Sequence, residues 1–131
     1  MAKKIIHSTA APPPIGPYSQ AVQAGPLLFI SGQIALTPQG ELAGDDIVVQ
    51  TIQVLENLKA ILGAAGLGLE DVVKTTVYLT DLADFAEVNR VYAEYFPKKP
   101  PARATVQVAA LPKGARLELE AVAILREGTG K

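Results

Sequence analysis

Between Asp45 and Gly66 the apolar residues Val48, Ile52, Leu55, Leu58, Leu62 and Ala65 recur at steps of three or four. That spacing returns to one side of a 3.6-residue helix and predicts a long amphipathic helix with a single apolar stripe. Asp45 and Asp46 suit its positive N-terminal end, and Gly66 suits its stop. Such a stripe must lie on an apolar surface, and the flanking runs can supply one as a sheet. VVKTTVYL at 72–79 is β-branched and alternating. KKIIHS reads as a short strand, and Gly25-Pro26 turns Val22–Ala24 into Leu27–Ile30 as a hairpin. TPQG at 37–40 is a further turn, with proline second and glycine fourth. Four prolines and a glycine in TAAPPPIGPYSQ exclude regular structure and favour a stiff, extended loop.

Phe85, Val88, Val91, Tyr92, Tyr95 and Phe96 predict a second helix, with Asp81 or Asp84 as cap and Pro97 as its end. RATVQVAAL and ARLELEAVAIL follow as two strands joined by a turn at Leu111-Pro112-Lys113-Gly114. The order is two or three strands, helix, strand, helix, two strands. It predicts an α+β two-layer sandwich, a mixed sheet of about six strands with both helices on one face. The other face must meet water or a partner. At 131 residues, 49% of them hydrophobic, the chain is expected to form one domain over 1–131.

Composition removes several function classes. A net charge of −1 offers no general attraction to nucleic acid or to an acidic membrane. No cysteine is present, which excludes disulfides, thiolate nucleophiles and zinc–sulfur sites. His7 is the only histidine, too few nitrogen ligands for a histidine-built metal site. MAKKIIHS has no signal-like apolar stretch behind it, and no apolar run approaches the roughly 20 residues of a membrane span. The expected location is the cytoplasm.

Few residues invite chemistry. In PPARATVQVAAL, alternation puts Arg103, Thr105 and Gln107 on one face and Ala102, Ala104, Val106 and Val108 on the other. Glu118 and Glu120 share a face with Arg116 on the last strand. If the two strands are neighbours across the turn, arginine and glutamate fall within reach of each other. A solvated strand face with a weak surface ion pair explains the same pattern, and pattern alone favours that explanation. Asn89 sits at the edge of the second helix's apolar face, where an amide needs hydrogen-bond partners. Ser31 and Gly32 end an apolar strand, a place for a bulge or a close approach to the backbone. Tyr18 lies in the proline loop, where a tyrosine can simply pack. His7 is read as structural. There is no phosphate loop, dinucleotide fingerprint, metal motif or glycosidase-type acidic pair.

Taken together, GPYSQAV, FISGQIAL, TIQVLENLKAILGAAG, VVKTTVYLTDLADFAEVNRVYAEYFP and PPARATVQVAALPKGARLELEAVA resemble the reactive intermediate deaminase family, in its RidA subgroup. The resemblance runs in order over about residues 3 to 126. It implies a chorismate-mutase-like fold, a homotrimer with ligand clefts between subunits, and no cofactor or metal. The implied activity is hydrolysis of 2-imino acids, the unstable products of pyridoxal-phosphate dehydratases, to 2-oxo acids and ammonia. Carried over by position, the carboxylate-binding arginine falls on Arg103 and the acidic catalytic residue on Glu118. The loop tyrosine falls on Tyr18, the strand-end serine and glycine on Ser31 and Gly32, and the helix asparagine on Asn89. Many relatives have cysteine two residues after the arginine, and this chain has Thr105, which removes any cysteine-based redox control without touching hydrolysis. Two other functions stay open: a trimeric module that binds small carboxylates without turnover, and a ribonuclease or translation inhibitor. Near-neutral charge, few aromatics and a lone histidine weigh against RNA cleavage.

Overall fold

The computed structural model describes residues 2–126. Met1 and residues 127–131, which the single-domain expectation includes, lie outside the described residues. Six strands and two helices follow in the order β1 (Lys4–Ile6), β2 (Ala21–Ala24), β3 (Leu27–Gln33), α1 (Ile47–Ala64), β4 (Val72–Leu79), α2 (Phe85–Tyr95), β5 (Ala102–Gln107) and β6 (Leu117–Ile124). They form the mixed sheet β1-β2-β3-β6-β4-β5, in which only β4 and β5 run parallel as neighbours.

The sheet order explains why both helices share a face. The crossover from β3 to β4 through α1 and that from β4 to β5 through α2 advance in the same direction across the sheet. Strand-to-parallel-strand crossovers are nearly always right-handed, so both helices land on one side. β6 then fills the gap left between β3 and β4, antiparallel to each. The two C-terminal strands are therefore not neighbours, contrary to expectation. The residues at 112–114 do make a turn, as a short 3-10 segment, but β4 lies between the strands it joins.

Asp46 caps α1, its carboxylate accepting from the Val48 N–H at 2.6 Å. At the other end Gly66 takes φ +77°, and the N–H groups of Gly66 and Leu67 close on the Gly63 and Leu62 carbonyls. That left-handed stop favours a residue without a Cβ. The buried stripe is rotated from the expected one: Thr51, Val54, Leu55, Leu58, Ile61 and Leu62 face the core, while Ile52 is exposed. Three polar residues, Gln50, Thr51 and Asn57, are buried on the same helix, and Thr51 donates to the Ile47 carbonyl one turn back. Gln50 donates to the Gly44 carbonyl, and Asn57 donates to the Ile34 and Leu36 carbonyls. Both tie loop carbonyls to the helix. α1 is long and apolar enough to cross a membrane by length and composition, and 50% of it is buried in the core.

A short 3-10 turn at Leu82–Asp84, capped by Asp81, leads into α2. Asp84 does not cap that helix; its carboxylate accepts from the Arg116 guanidinium at 2.7 and 2.9 Å. Arg116 also donates to the Asp45 carbonyl at 3.0 Å. It thus ties the starts of both helices to the start of β6, and its guanidinium is not part of a polar face with Glu118 and Glu120. On the face away from the helices, Ile5, Val22, Phe29 and Val122 form a cross-strand apolar row. Ile5 is 52% and Phe29 46% exposed, so this row has no full cover among the described residues.

Candidate active site

The proline loop is held in place before any ligand enters. The buried Gln20 amide donates to the Ser8 and Pro12 carbonyls and accepts from the Ser8 N–H. Ser31 closes the other side, its hydroxyl donating to the Ser19 carbonyl at 2.6 Å and its N–H to the Gln20 carbonyl at 2.9 Å. The hydroxyl proton is committed there, which leaves the Ser31 oxygen as an acceptor. Tyr18 Oη accepts from the Ile15 N–H at 3.3 Å, bending the loop on itself with the ring exposed.

Ser31 and Gly32 form a bulge. Three residue steps on β3, from Ile30 to Gln33, span two on β6, from Ala121 to Leu119. The extra residue flips the alternation, so that Gln33 is buried where Gly32 would otherwise have been. Gly32 makes room for Glu118. A Cβ at position 32 would collide with Glu118 Oε2 and stand 2.8 Å from its Cδ. Tyr18, Ser31, Gly32 and Glu118, with Ile15 and Pro112, line one open hollow of about 580 Å³. Burial pushes the Glu118 carboxyl above its ordinary range, and the nearby Glu120 carboxylate adds to the rise.

Arg103 and Asn89 lie elsewhere. Pro100 and Pro101 lead into β5, and the Arg103 guanidinium carbon lies 4.7 Å from the Tyr92 ring centroid and 5.5 Å from that of Phe85. Tyr92 is fixed from beneath, its hydroxyl 2.7 Å from the Thr75 hydroxyl in a buried pair. Among the described residues no carboxylate is within ion-pair distance of Arg103. The guanidinium rests on aromatic faces, with no carboxylate engaging its N–H fork. Asn89, Tyr92, Phe96, Pro100, Pro101 and Arg103 line an open hollow. Thr105 follows Arg103 on the same face of β5, paired with Val77.

The structure therefore separates what the strand pattern had put together. Arg103 pairs with Thr75, a buried residue of the helix-covered face, whereas Glu118 pairs with Tyr78 on the open face. Within one chain the two occupy opposite sides of the sheet, with β4 between their strands. The expectation that they share a polar face is corrected. Phe85 and Tyr92 are residues the sequence assigned only to a core stripe; nothing local in either segment announces that β5 runs along α2. Among the described residues, no group of three or more histidine, cysteine, aspartate or glutamate side chains is placed to hold a metal ion.

A six-stranded mixed sheet with two helices on one face, a bulge beneath a glutamate and an arginine on the edge strand define the class. Residues 8–125 match the family model described as Endoribonuclease L-PSP. The chain belongs to this family, which takes in the RutC and reactive intermediate deaminase proteins. Protein DfrA of Myxococcus xanthus is 57% identical, over 95% of this chain and 97% of its own. The 2-iminobutanoate/2-iminopropanoate deaminase of Mus musculus is 51% identical, over 93% of this chain and 91% of its own. Among solved structures, E. coli TdcF with bound serine superposes with a TM-score of 0.90 at 47% identity, covering 94% of this chain and 99% of that one. Relatives near half identity thus include imine deaminases, within a family described by a ribonuclease activity.

Proposed function

We propose that the protein hydrolyses small 2-imino acids, such as 2-iminopropanoate and 2-iminobutanoate, to 2-oxo acids and ammonia. The observation that carries this is the Arg103 guanidinium held on the Tyr92 and Phe85 rings, with no carboxylate of its own among the described residues. A planar fork that is fixed but unpaired suits a substrate carboxylate. Glu118, pushed up by burial, is a stronger base than an ordinary carboxylate and suits proton abstraction from water. The water oxygen bonds to the imine carbon, the C=N π pair moves to nitrogen, and nitrogen takes up a proton. That proton is the one Glu118 took from water. As the C=O bond then forms, Glu118 takes the hydroxyl proton and passes it to the departing nitrogen, so that ammonia and the 2-oxo acid are released and Glu118 is ionised again. Asn89, Tyr18, the Ser31 acceptor, Gly32 and Thr105 position the substrate between these groups. No cofactor is required, because imines already hydrolyse in water and orientation with one base suffices.

Opposite faces of one sheet cannot present Arg103 and Glu118 to a four-carbon substrate. On this reading the working site lies between copies of the chain, in a homotrimer whose open sheet faces are covered by their neighbours. Residues 1–131 act as one domain, in the cytoplasm where dehydratases release their imines. The test generates 2-iminopropanoate in situ with a dehydratase and measures release of the 2-oxo acid. Wild type accelerates release over buffer, and Arg103→Ala does not. Equal rates for that variant and wild type overturn the proposal.

A second reading has one observation in its favour: the Arg103 hollow is walled without any contribution from Glu118. A module that binds carboxylates without turnover needs Arg103 alone, so Glu118→Gln separates the two. That variant loses hydrolysis with binding kept if the protein is an enzyme, and changes nothing if it is a binding module.

A further inference from the structure

An open hollow lies beside the C-terminal ends of α1 and α2, lined by neither Glu118 nor Arg103. Leu67, Leu69, Tyr95 and Phe96 give it an apolar floor, and Lys59, Lys98 and Lys99 stand around it. One carboxylate, Glu70, also lines the hollow, and Arg126 engages it at 3.2 Å. Glu56, close by, accepts from the Tyr95 hydroxyl at 2.6 Å. Burial, then that bond, pushes the Tyr95 phenol up to about 12, so the ring stays neutral. The lysines are different: among the described residues none of the three has a carboxylate within ion-pair distance. Lys99 also holds φ +46°, a left-handed conformation uncommon for a side-chain-bearing residue, at the rim of the hollow.

An apolar floor edged by unneutralised ammonium groups is the complement of an organic anion. Inorganic phosphate would leave the floor in water. A neutral apolar molecule would leave the lysines without a counterion. We propose that this hollow is a second ligand site, for a small carboxylate with an aromatic or branched aliphatic body. The body lies on Leu67, Leu69, Tyr95 and Phe96, and the carboxylate sits among the three lysines. The site is independent of the imine chemistry, although Phe96 also lines the hollow of Arg103 and gives the two a common wall.

The shared wall sets the design of the test. Amide resonances of the intact ¹⁵N-labelled protein are followed while 2-naphthoate is added, with 2-naphthamide as the uncharged control. Saturable shifts are expected at Gly63, Leu67 and Leu69, with the amide binding at least roughly tenfold more weakly, since three exposed ion contacts are at stake. Lys59→Gln/Lys98→Gln/Lys99→Gln, all exposed positions, should weaken naphthoate by about the same factor, while Arg103→Ala leaves these shifts in place. Shifts that vanish in Arg103→Ala and survive in the lysine variant would place the anion in the other hollow and overturn the proposal. So would equal affinity for naphthoate and naphthamide, or no saturable shift at the three amides.

Discussion

Thr75 separates Arg103 from the rest of the sheet: it pairs with Arg103 on one side and with Ala121 of β6 on the other, one row in which every side chain faces the helices. Glu118 belongs to the opposite set, beside Tyr78. A small substrate held by the guanidinium is shielded from that carboxylate by the sheet itself. If both act in one reaction, they come from different molecules.

Subunit mixing tests this directly. Arg103→Ala and Glu118→Gln are each expected to be inactive alone. Unfolded together and reassembled at random, the two variants should recover about a quarter of wild-type activity if each site draws its two groups independently from two chains. A mixture no better than its components would contradict a site built from two subunits.

Tyr92 acts on Arg103 through its ring. Tyr92→Leu removes the surface on which the guanidinium lies, a contact worth about 1–2 kcal/mol. KM for the imine should rise roughly 5–30-fold with kcat changed less. Tyr92→Phe keeps the ring and should leave KM within about twofold, while the loss of the bond to Thr75 lowers stability by about 1 kcal/mol. Steady-state kinetics with thermal melts distinguish the pair, and a KM unchanged in Tyr92→Leu would end the positioning role.

Gly32 is required for space, since its φ is not in the left-handed region. A methyl group there meets the tip of a flexible side chain, so Gly32→Ala should fold with a stability change of no more than about 1 kcal/mol. It should nevertheless move the Glu118 carboxylate by about an ångström and cost on the order of a hundredfold in kcat/KM. A variant that folds and retains full activity would separate Glu118 from the chemistry.

The environment of Glu118 sets a pH dependence. The ionised form is the base, so the acid limb of kcat/KM should lie above the usual glutamate range, and Glu120→Gln should move it downward by removing a like charge. Burial, the larger cause, remains in that variant, so the limb does not return fully to the ordinary value. The native state holds this proton more tightly than the unfolded chain. Between the ordinary and the raised values it binds more protons, and the contribution of Glu118 to stability falls as pH rises through that window. Urea midpoints across that window should fall less steeply with pH in Glu118→Gln than in wild type.

Local signals read correctly in this chain, and non-local ones did not. Gly25-Pro26 marks the β2–β3 hairpin because a two-residue turn carries its own geometry. Turn residues at 111–114 are equally genuine, yet they cannot reveal that β6 passes β5 and pairs with β3 and β4. That one step reversed the relation between Arg103 and Glu118. On α1 the period was right and its phase was not, because Gln50 and Asn57 are drawn inward by loop carbonyls and Ile52 is turned outward. Chain-long resemblance named the candidate residues individually; the backbone alone decides that Tyr18, Ser31, Gly32 and Glu118 line one hollow, Asn89 and Arg103 another, and Thr105 neither.

β6 is the sixth of six strands in chain order, yet it lies between β3 and β4. Until it arrives, β1-β2-β3 and β4-β5 are two fragments with facing edges and no partner to join them. Pairings of such long sequence separation are slow to form and leave strand edges open meanwhile. A nascent chain that ends before residue 117 could build both helices and five strands and still have no continuous sheet. Completion of the fold and delivery of the Glu118 carboxylate are consequently one event, so a molecule that has finished its sheet already carries its proposed base.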